Sequence, residues 1–317
     1  LSNPGKGRVL LAVNAFQPQR WQELIGNERD VTVEREAGVD PSITYAVVWK
    51  QKPNLLVGLP NLKVIFSVGA GVDHIMEDAT IPTDIPVVRV VAEDLTRHMV
   101  EYVVWRVLDH HRQGRQYREQ QRLRAWHDID QRNAGDVSVG IMGFGHLGRA
   151  AASALMALGF HINGWSRSAR EMDGVNTYAG EEGLTPFLNA TDILVVLLPL
   201  TKATTGVIDY KLLKELRRRN ALGGSVLINA GRGRLQKEAD ILRALDDGTL
   251  KEASLDVFEI EPLPKTSPLW NHPKVFVTPH AAATSDPRHL VPVMLEQMAA
   301  YERGEELENL IDREAGY

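Results

Sequence analysis

Apolar and polar positions alternate along the chain in blocks that change period. Near-continuous apolar runs at residues 8–13, 31–33, 43–49, 62–68 and 85–90 read as strands covered on both faces, separated by short helical pieces such as 19–25. A helical stretch from about residue 94 to 123 follows, with Met99, Val103, Val104 and Val107 on one face and a polar end rich in Arg and Gln. His110 and His111 lie within it; adjacent histidines on a helix point to different faces, so they read as a solvated face and not as a metal site. From residue 137 the alternation sharpens. Strands are expected at 137–142, 161–165, 193–198, 224–229, 253–257 and 275–278, with helices clearest at 209–217 and 237–245. The stretch 286–303 reads as a closing amphipathic helix that returns to the first domain.

Strand–helix alternation of this kind specifies α/β architecture with parallel sheets. We expect two doubly wound domains: a flavodoxin-like one from residues 1–98 plus 288–317, and a Rossmann-type one from residues 99–287. The second begins with Val137-Ser-Val-Gly-Ile-Met142, then Gly143-Phe144-Gly145-His146-Leu147-Gly148, then an Ala-rich helical run. That is G-x-G-x-x-G between a strand and a helix. The first glycine allows the tight turn, the second lets a pyrophosphate approach the backbone, and the third lets the helix lie close to the sheet. The helix N-terminus then offers N–H groups to the anion.

Composition narrows the partners. The 317 residues are 44% hydrophobic and 24% charged, and 36 basic against 41 acidic residues give a net charge of −5. Neither nucleic acid nor a membrane is the expected partner, and no secretory signal is expected ahead of Arg8. The absence of cysteine excludes a disulfide, a thiol nucleophile or a thiolate metal site. A cytoplasmic enzyme fits this composition, and no metal is expected in its site.

Candidate chemistry gathers at the expected strand ends. The second strand of the Rossmann-type block ends in Ser166-Arg167-Ser168-Ala169-Arg170, where an NAD-binding fold usually carries Asp or Glu. Guanidinium and hydroxyl groups there suit a 2′-phosphate, so NADP(H) is the expected cofactor. Leu198, Pro199 and Thr204 follow the next strand of this set, and Ala230, Gly231 and Arg232 the one after. Asp256, Glu259 and Glu261 come after another, and Thr278-Pro279-His280 closes the last. An arginine, a glutamate and a histidine at strand ends of a nucleotide-binding sheet supply an anion binder and an acid–base pair beside a hydride donor.

These motifs, with Gly69-Ala70-Gly71-Val-Asp73, Trp165-Ser-Arg-Ser168, Glu261-Pro-Leu-Pro264, Ser267-Pro-Leu-Trp270 and the terminal Ile311-Asp-Arg-Glu-Ala-Gly-Tyr317, make the chain resemble the D-isomer-specific 2-hydroxyacid dehydrogenases, in particular their bacterial glyoxylate- and hydroxypyruvate-reducing type. The resemblance implies Arg232, Glu261 and His280 as catalytic residues, Asp256 as an acceptor for the nicotinamide carboxamide, and a homodimer. Ala282 departs from the glycine that many relatives carry two residues after the histidine. A 2-keto acid needs its carboxylate held, its carbonyl polarised and a proton delivered. Arg232 suits the first two tasks, and His280 paired with Glu261 suits the third. Backbone N–H groups of the Gly69-Ala70-Gly71 turn can bind the carboxylate, and Trp49 can wall the pocket or sit in the core. The alternatives left open are a 3-phosphoglycerate or D-lactate dehydrogenase of the same family, or a non-catalytic nucleotide-sensing protein on this fold.

Overall fold

The computed structural model describes residues 6–14, 17–33, 38–69, 71–284 and 286–313. Its chain divides into two compact units, Leu1–Leu95 with Thr284–Tyr317, and Thr96–Ala283.

The first unit is built on five parallel strands in the order β2-β1-β3-β4-β5: β1 (Arg8–Val13), β2 (Val31–Val33), β3 (Ile43–Trp49), β4 (Val64–Val68) and β5 (Val87–Val90). The unbroken apolar runs follow from burial on both faces. Along β1, Val9, Leu11 and Val13 enter one core, while Leu10 and Ala12 enter the other. The first core is closed by Trp21 and Ile25 of the helix Pro18–Gly26 and by Leu290, Met294 and Met298 of the helix Pro287–Glu302. Asp286 caps the latter helix by accepting from the Arg288 N–H. Arg29 forks onto Glu302 at 2.8 and 3.0 Å, and the Tyr45 hydroxyl donates to the same carboxylate, which ties this helix to the sheet.

The second unit is a seven-stranded parallel sheet in the order β12-β11-β10-β9-β6-β7-β8. Its strands are β6 (Ser138–Met142), β7 (His161–Ser166), β8 (Val175–Ala179), β9 (Ile193–Val196), β10 (Val226–Asn229), β11 (Glu252–Leu255) and β12 (Val275–Val277). Strand order reverses between β6 and β9, the position where a doubly wound sheet opens a crevice for ligands. Val139 and Ile141 face one core, while Met142, Leu194 and Val196 face the other.

Several elements differ from the sequence expectation. The stretch 94–123 is two helices, Glu93–His111 and Gly114–Leu123, broken where Gln113 takes a left-handed backbone conformation, φ 60°. His110 and His111 are not a solvated face: both are buried. His110 Nδ1 donates to Glu252 at 2.7 Å and its Nε2 accepts from the Ser254 hydroxyl at 2.7 Å, both on β11, and His111 packs edge-on against Phe160. For His110, polar partners on a distant strand offset the cost of burial, and helical periodicity carries no trace of them. Strand β8 and the helix Gly180–Asn189 escaped sequence reading because β8 is a polar edge strand and the helix contains Pro186. The helix expected at 209–217 is limited to Tyr210–Lys214, capped by Asp209. Among the described residues no helix is long and apolar enough to cross a membrane.

Candidate active site

Every strand of the seven-stranded sheet is parallel, so the loops after β12, β11, β10, β9, β6 and β7 leave from one edge in that spatial order. His280, Glu261 and Arg232 therefore follow three neighbouring strands, while the glycine turn and Ser166–Ser168 follow two further ones. Sheet order, not chain order, assembles the site.

The glycine turn has the shape that its spacing implies. Gly143 has φ 109°, and a Cβ there would stand 2.6 Å from the Leu197 carbonyl carbon. At Gly148 a Cβ would collide with the Gly143 carbonyl oxygen, so the helix His146–Ala157 can lie this close only without a side chain. Gly145, the N-cap of that helix, is the opposite case: a Cβ would meet no protein atom within 4 Å. The helix start has no side-chain cap and no acidic residue in its first turn. Uncapped N–H groups facing open space suit a pyrophosphate, so the residues present fit a dinucleotide. The Phe144 ring is buried against Gly164 and its N–H donates to the Trp165 carbonyl at 3.0 Å, so both groups shape the turn from behind. His146 is exposed and lies 3.2 Å from the Thr96 hydroxyl, and Leu147 is half-buried.

At the end of β7, Ser166 donates to the Ser168 carbonyl at 2.8 Å, folding the strand end into a tight turn that leaves Arg167, Ser168 and Arg170 exposed. Past β9, Leu198 is buried and Pro199 exposed. The Thr204 hydroxyl donates to the Pro199 carbonyl at 2.7 Å and receives the Thr201 N–H at 2.8 Å, so it closes its own loop.

The loop after β10 is held from within. Asn229 Oδ1 accepts from the Gly231 N–H at 3.0 Å, and its Nδ2 donates to the Arg232 carbonyl at 3.2 Å. Ala230 is buried, with its N–H on the Val196 carbonyl. The half-buried Arg232 guanidinium donates to the Gly231 carbonyl at 2.8 Å. Gly233 is pressed against the Phe258 backbone so closely that a Cβ would overlap the Phe258 carbonyl.

His280 and Glu261 are in contact: Nδ1 lies 2.8 Å from Oε2, with both side chains partly open to solvent. The other Glu261 oxygen accepts from the Phe258 N–H at 3.1 Å. Glu259, the competing carboxylate, is engaged elsewhere. It accepts from the Glu238 N–H at 2.7 Å, while its own N–H donates to Glu238 at 2.7 Å. Burial, followed by the neighbouring Glu259 charge, raises the Glu238 pKa.

His280 has φ 53°, a left-handed conformation that its surroundings impose. Its N–H donates to the Asp256 carbonyl at 2.8 Å. The buried Asp256 carboxylate accepts from Ala281 N–H at 2.8 Å, Ala282 N–H at 3.0 Å and the Thr278 hydroxyl at 2.6 Å. The Tyr102 hydroxyl donates in turn to Thr278 at 2.8 Å, and burial pushes that phenol up to about 12. Asp256 thus has a role that sequence reading missed: it holds the turn that aims His280.

In the first unit, Trp49 ends β3 buried, with its ring against Gly69 and edge-on to His74 at 4.6 Å. Gly69 has φ 100°, Gly71 is half-buried, and Ala70 lies outside the described residues. The Ser67 hydroxyl reaches the His74 ring at 3.3 Å beneath this turn.

Residues 104–282 match the model of the D-isomer specific 2-hydroxyacid dehydrogenase family, NAD binding domain. A glyoxylate/hydroxypyruvate reductase A of Salmonella paratyphi B is 39% identical over 289 residues, covering 90% of this chain and 91% of the relative. Among solved structures, the NADPH-dependent glyoxylate/hydroxypyruvate reductase of Sinorhizobium meliloti in complex with NADP and sulfate superposes with a TM-score of 0.93. It is 45% identical and covers 98% of this chain and 100% of that one. A D-isomer specific 2-hydroxyacid dehydrogenase of Xanthobacter autotrophicus Py2 in complex with NADPH and MES gives 0.92 at 36% identity, covering 99% and 100%.

Proposed function

The chain belongs to the D-isomer specific 2-hydroxyacid dehydrogenase family, and on that premise we propose that it reduces glyoxylate and hydroxypyruvate to glycolate and D-glycerate with NADPH. The observation that carries this reading is the 2.8 Å His280–Glu261 pair one strand away from the Arg232 turn, on the sheet edge that also bears the glycine turn.

The Arg232 guanidinium holds the substrate carboxylate and draws on the carbonyl oxygen. Reduced nicotinamide, when bound, supplies the hydride. Glu261 engages His280 at Nδ1, which fixes the ring and leaves Nε2 to give a proton to the carbonyl oxygen as it gains charge. Glu261, with the Asp256-held turn behind His280, sets the direction of that transfer. Gly143, Gly145 and Gly148, the His146–Leu147 helix start, Leu198, Pro199, Thr204, Ala230 and Gly231 hold the dinucleotide, and Ser166, Arg167 and Ser168 hold its 2′-phosphate. Gly69, Gly71 and Trp49 of the first unit are assigned to the substrate. NADP in the Sinorhizobium relative and NADPH in the Xanthobacter one support this cofactor over the NAD of the family description.

The working form is a homodimer in the cytoplasm. Support for a second copy comes from the Gly114–Leu123 helix, which buries no residue, and from Leu123 and Trp126 beyond it, 59% and 99% exposed.

The test is NADPH oxidation with glyoxylate, hydroxypyruvate, pyruvate and phenylpyruvate, repeated with NADH. The expected outcome is the highest kcat/KM for the first two substrates with NADPH. Turnover of none of the four would favour a nucleotide-sensing role instead.

A further inference from the structure

Between the loops that carry Arg232 and Glu261 lies a buried amide to which none of the chemistry above assigns a task. Gln236 is 2% exposed. Its Oε1 accepts from Asn229 Nδ2 at 2.8 Å, and its Nε2 donates to the Val257 carbonyl at 3.0 Å. Each bond ends on a different functional loop. Asn229 grips the Arg232 turn from inside, through the Gly231 N–H and the Arg232 carbonyl. Val257 directly precedes Phe258, whose N–H holds Glu261. The backbone adds to the join, since the Asp256 N–H donates to the Asn229 carbonyl at 3.0 Å. At Gly233 and Phe258 the two loops approach so closely that a side chain at Gly233 would not fit.

We propose that Gln236 is a positioning residue that sets Arg232 in register with the Glu261–His280 pair. The proposal rests on the reading of Arg232 as the carboxylate partner. The carboxylate clamp and the proton donor must meet one small substrate at the same time, so an error in the spacing of their loops acts on the reaction itself. A misplacement of about 1 Å can lower rate on the order of a hundredfold without any loss of a reacting group. An amide is the side chain that can do this. It presents one acceptor and one donor in fixed geometry, and here the acceptor meets an N–H and the donor meets a carbonyl.

Two variants test it. Gln236→Met keeps the length and loses both bonds. The expected result is a fall in kcat/KM for glyoxylate of about tenfold to a hundredfold at every pH, with NADPH affinity by fluorescence titration within about twofold of wild type. The glycine turn and the Ser166–Ser168 turn lie beyond β9 from this bridge, and the Ala230 N–H is held separately by the Val196 carbonyl, so of the cofactor set only Gly231 leans on it and NADPH affinity should change little. Gln236→Glu makes the bridge depend on pH. Protonated, the introduced carboxyl can accept from Asn229 and donate to Val257; ionised, it faces the Val257 carbonyl with no hydrogen to offer. Burial raises the pKa of such a carboxyl. The ratio of variant to wild-type kcat/KM should therefore approach one near pH 5 and fall as pH rises. A pH-independent ratio, wild-type activity in Gln236→Met, or NADPH affinity falling in parallel with kcat/KM would each overturn the proposal. Should Gln236→Met fail to fold, the pH ratio of Gln236→Glu decides alone. Arg232→Lys, assayed beside them, separates the two layers. If it retains full activity, the carboxylate reading fails and the positioning proposal falls with it. If it is impaired, adding Gln236→Met should cost less than in the wild-type background, because both act on one contact.

Discussion

On the proposed function, replacing Arg167 and replacing Arg232 should separate cofactor choice from substrate binding. Arg167 is exposed at the end of β7, beside the Ser166–Ser168 turn. Arg167→Ala should weaken NADPH by roughly 1.5–3 kcal/mol, the worth of one charged hydrogen bond, and leave NADH almost unchanged. Titration with both cofactors checks this, and equal losses would remove Arg167 from the 2′-phosphate. Arg232→Lys keeps the charge but loses the planar fork. We expect kcat/KM for glyoxylate to fall on the order of a hundredfold, with NADPH affinity preserved. Both arginines were legible as candidates because a guanidinium after a strand, flanked by glycine or serine, is a recognisable pattern. Asn229, Gln236, Thr278 and Tyr102 were not legible in these roles. Their partners lie on other elements, and only a hydrogen-bond map joins them.

Among the elements, the Glu93–His111 helix is fastened to β11 by a buried polar cluster. Arg106 donates to Ser254 at 3.0 Å and to Asp109 at 3.0 Å, with its guanidinium 3.8 Å from the Phe276 ring centroid. His110 bridges Ser254 and Glu252, and Arg115 donates to Glu252 at 2.8 Å. Burial works against the Glu252 anion, but the His110 and Arg115 bonds outweigh it and hold the pKa at about 2, from 4.5. Burial lowers the His110 pKa from 6.5 despite its carboxylate partner. Both shifts act in the same direction. The neutral His110 contributes stability that is present above pH 6.5 and is lost as pH falls below it; Glu252 adds a second loss as pH falls from 4.5 towards 2. Glu252→Gln should destabilise the protein by about 3 kcal/mol at pH 7 and by much less near pH 2.5, which urea titrations across that range would measure. A constant difference would mean that Glu252 acts through packing and not through charge. The helix itself was legible from its apolar period; its fastening was not, because the partners are more than a hundred residues away.

On the scale of the whole molecule, the proposed homodimer would cover apolar side chains that the single chain leaves exposed. Trp105 is 48% exposed and Trp126 fully so, both in the second unit with Leu123. Covering a tryptophan at the centre of an interface is worth about 2 kcal/mol, which corresponds to roughly thirtyfold in affinity. Sedimentation should show a dimer at micromolar concentration, and Trp126→Glu should raise its dissociation constant by at least that factor. A wild-type monomer under those conditions would leave this surface without its second copy.

The sequence by itself determined the α/β class, the parallel sheets, the glycine turn and the identity of the groups at the strand ends. Those features are local: apolar period, glycine spacing and the residue that follows a strand are all read within about ten positions. The tertiary structure decided which strand ends are neighbours. Strands β6 and β9 pair although 50 residues separate Met142 from Ile193 in the chain, and that crossover puts the glycine turn on the same edge as Arg232, Glu261 and His280. It also decided that His110 and His111 lie inside, that the Phe144 ring is buried against Gly164, and that Asp256 and Gln236 hydrogen-bond to the turns beside them. The physical reason is the same each time. A buried polar side chain takes its role from the partner that satisfies it, and that partner is set by packing across the sheet, not by position along the chain.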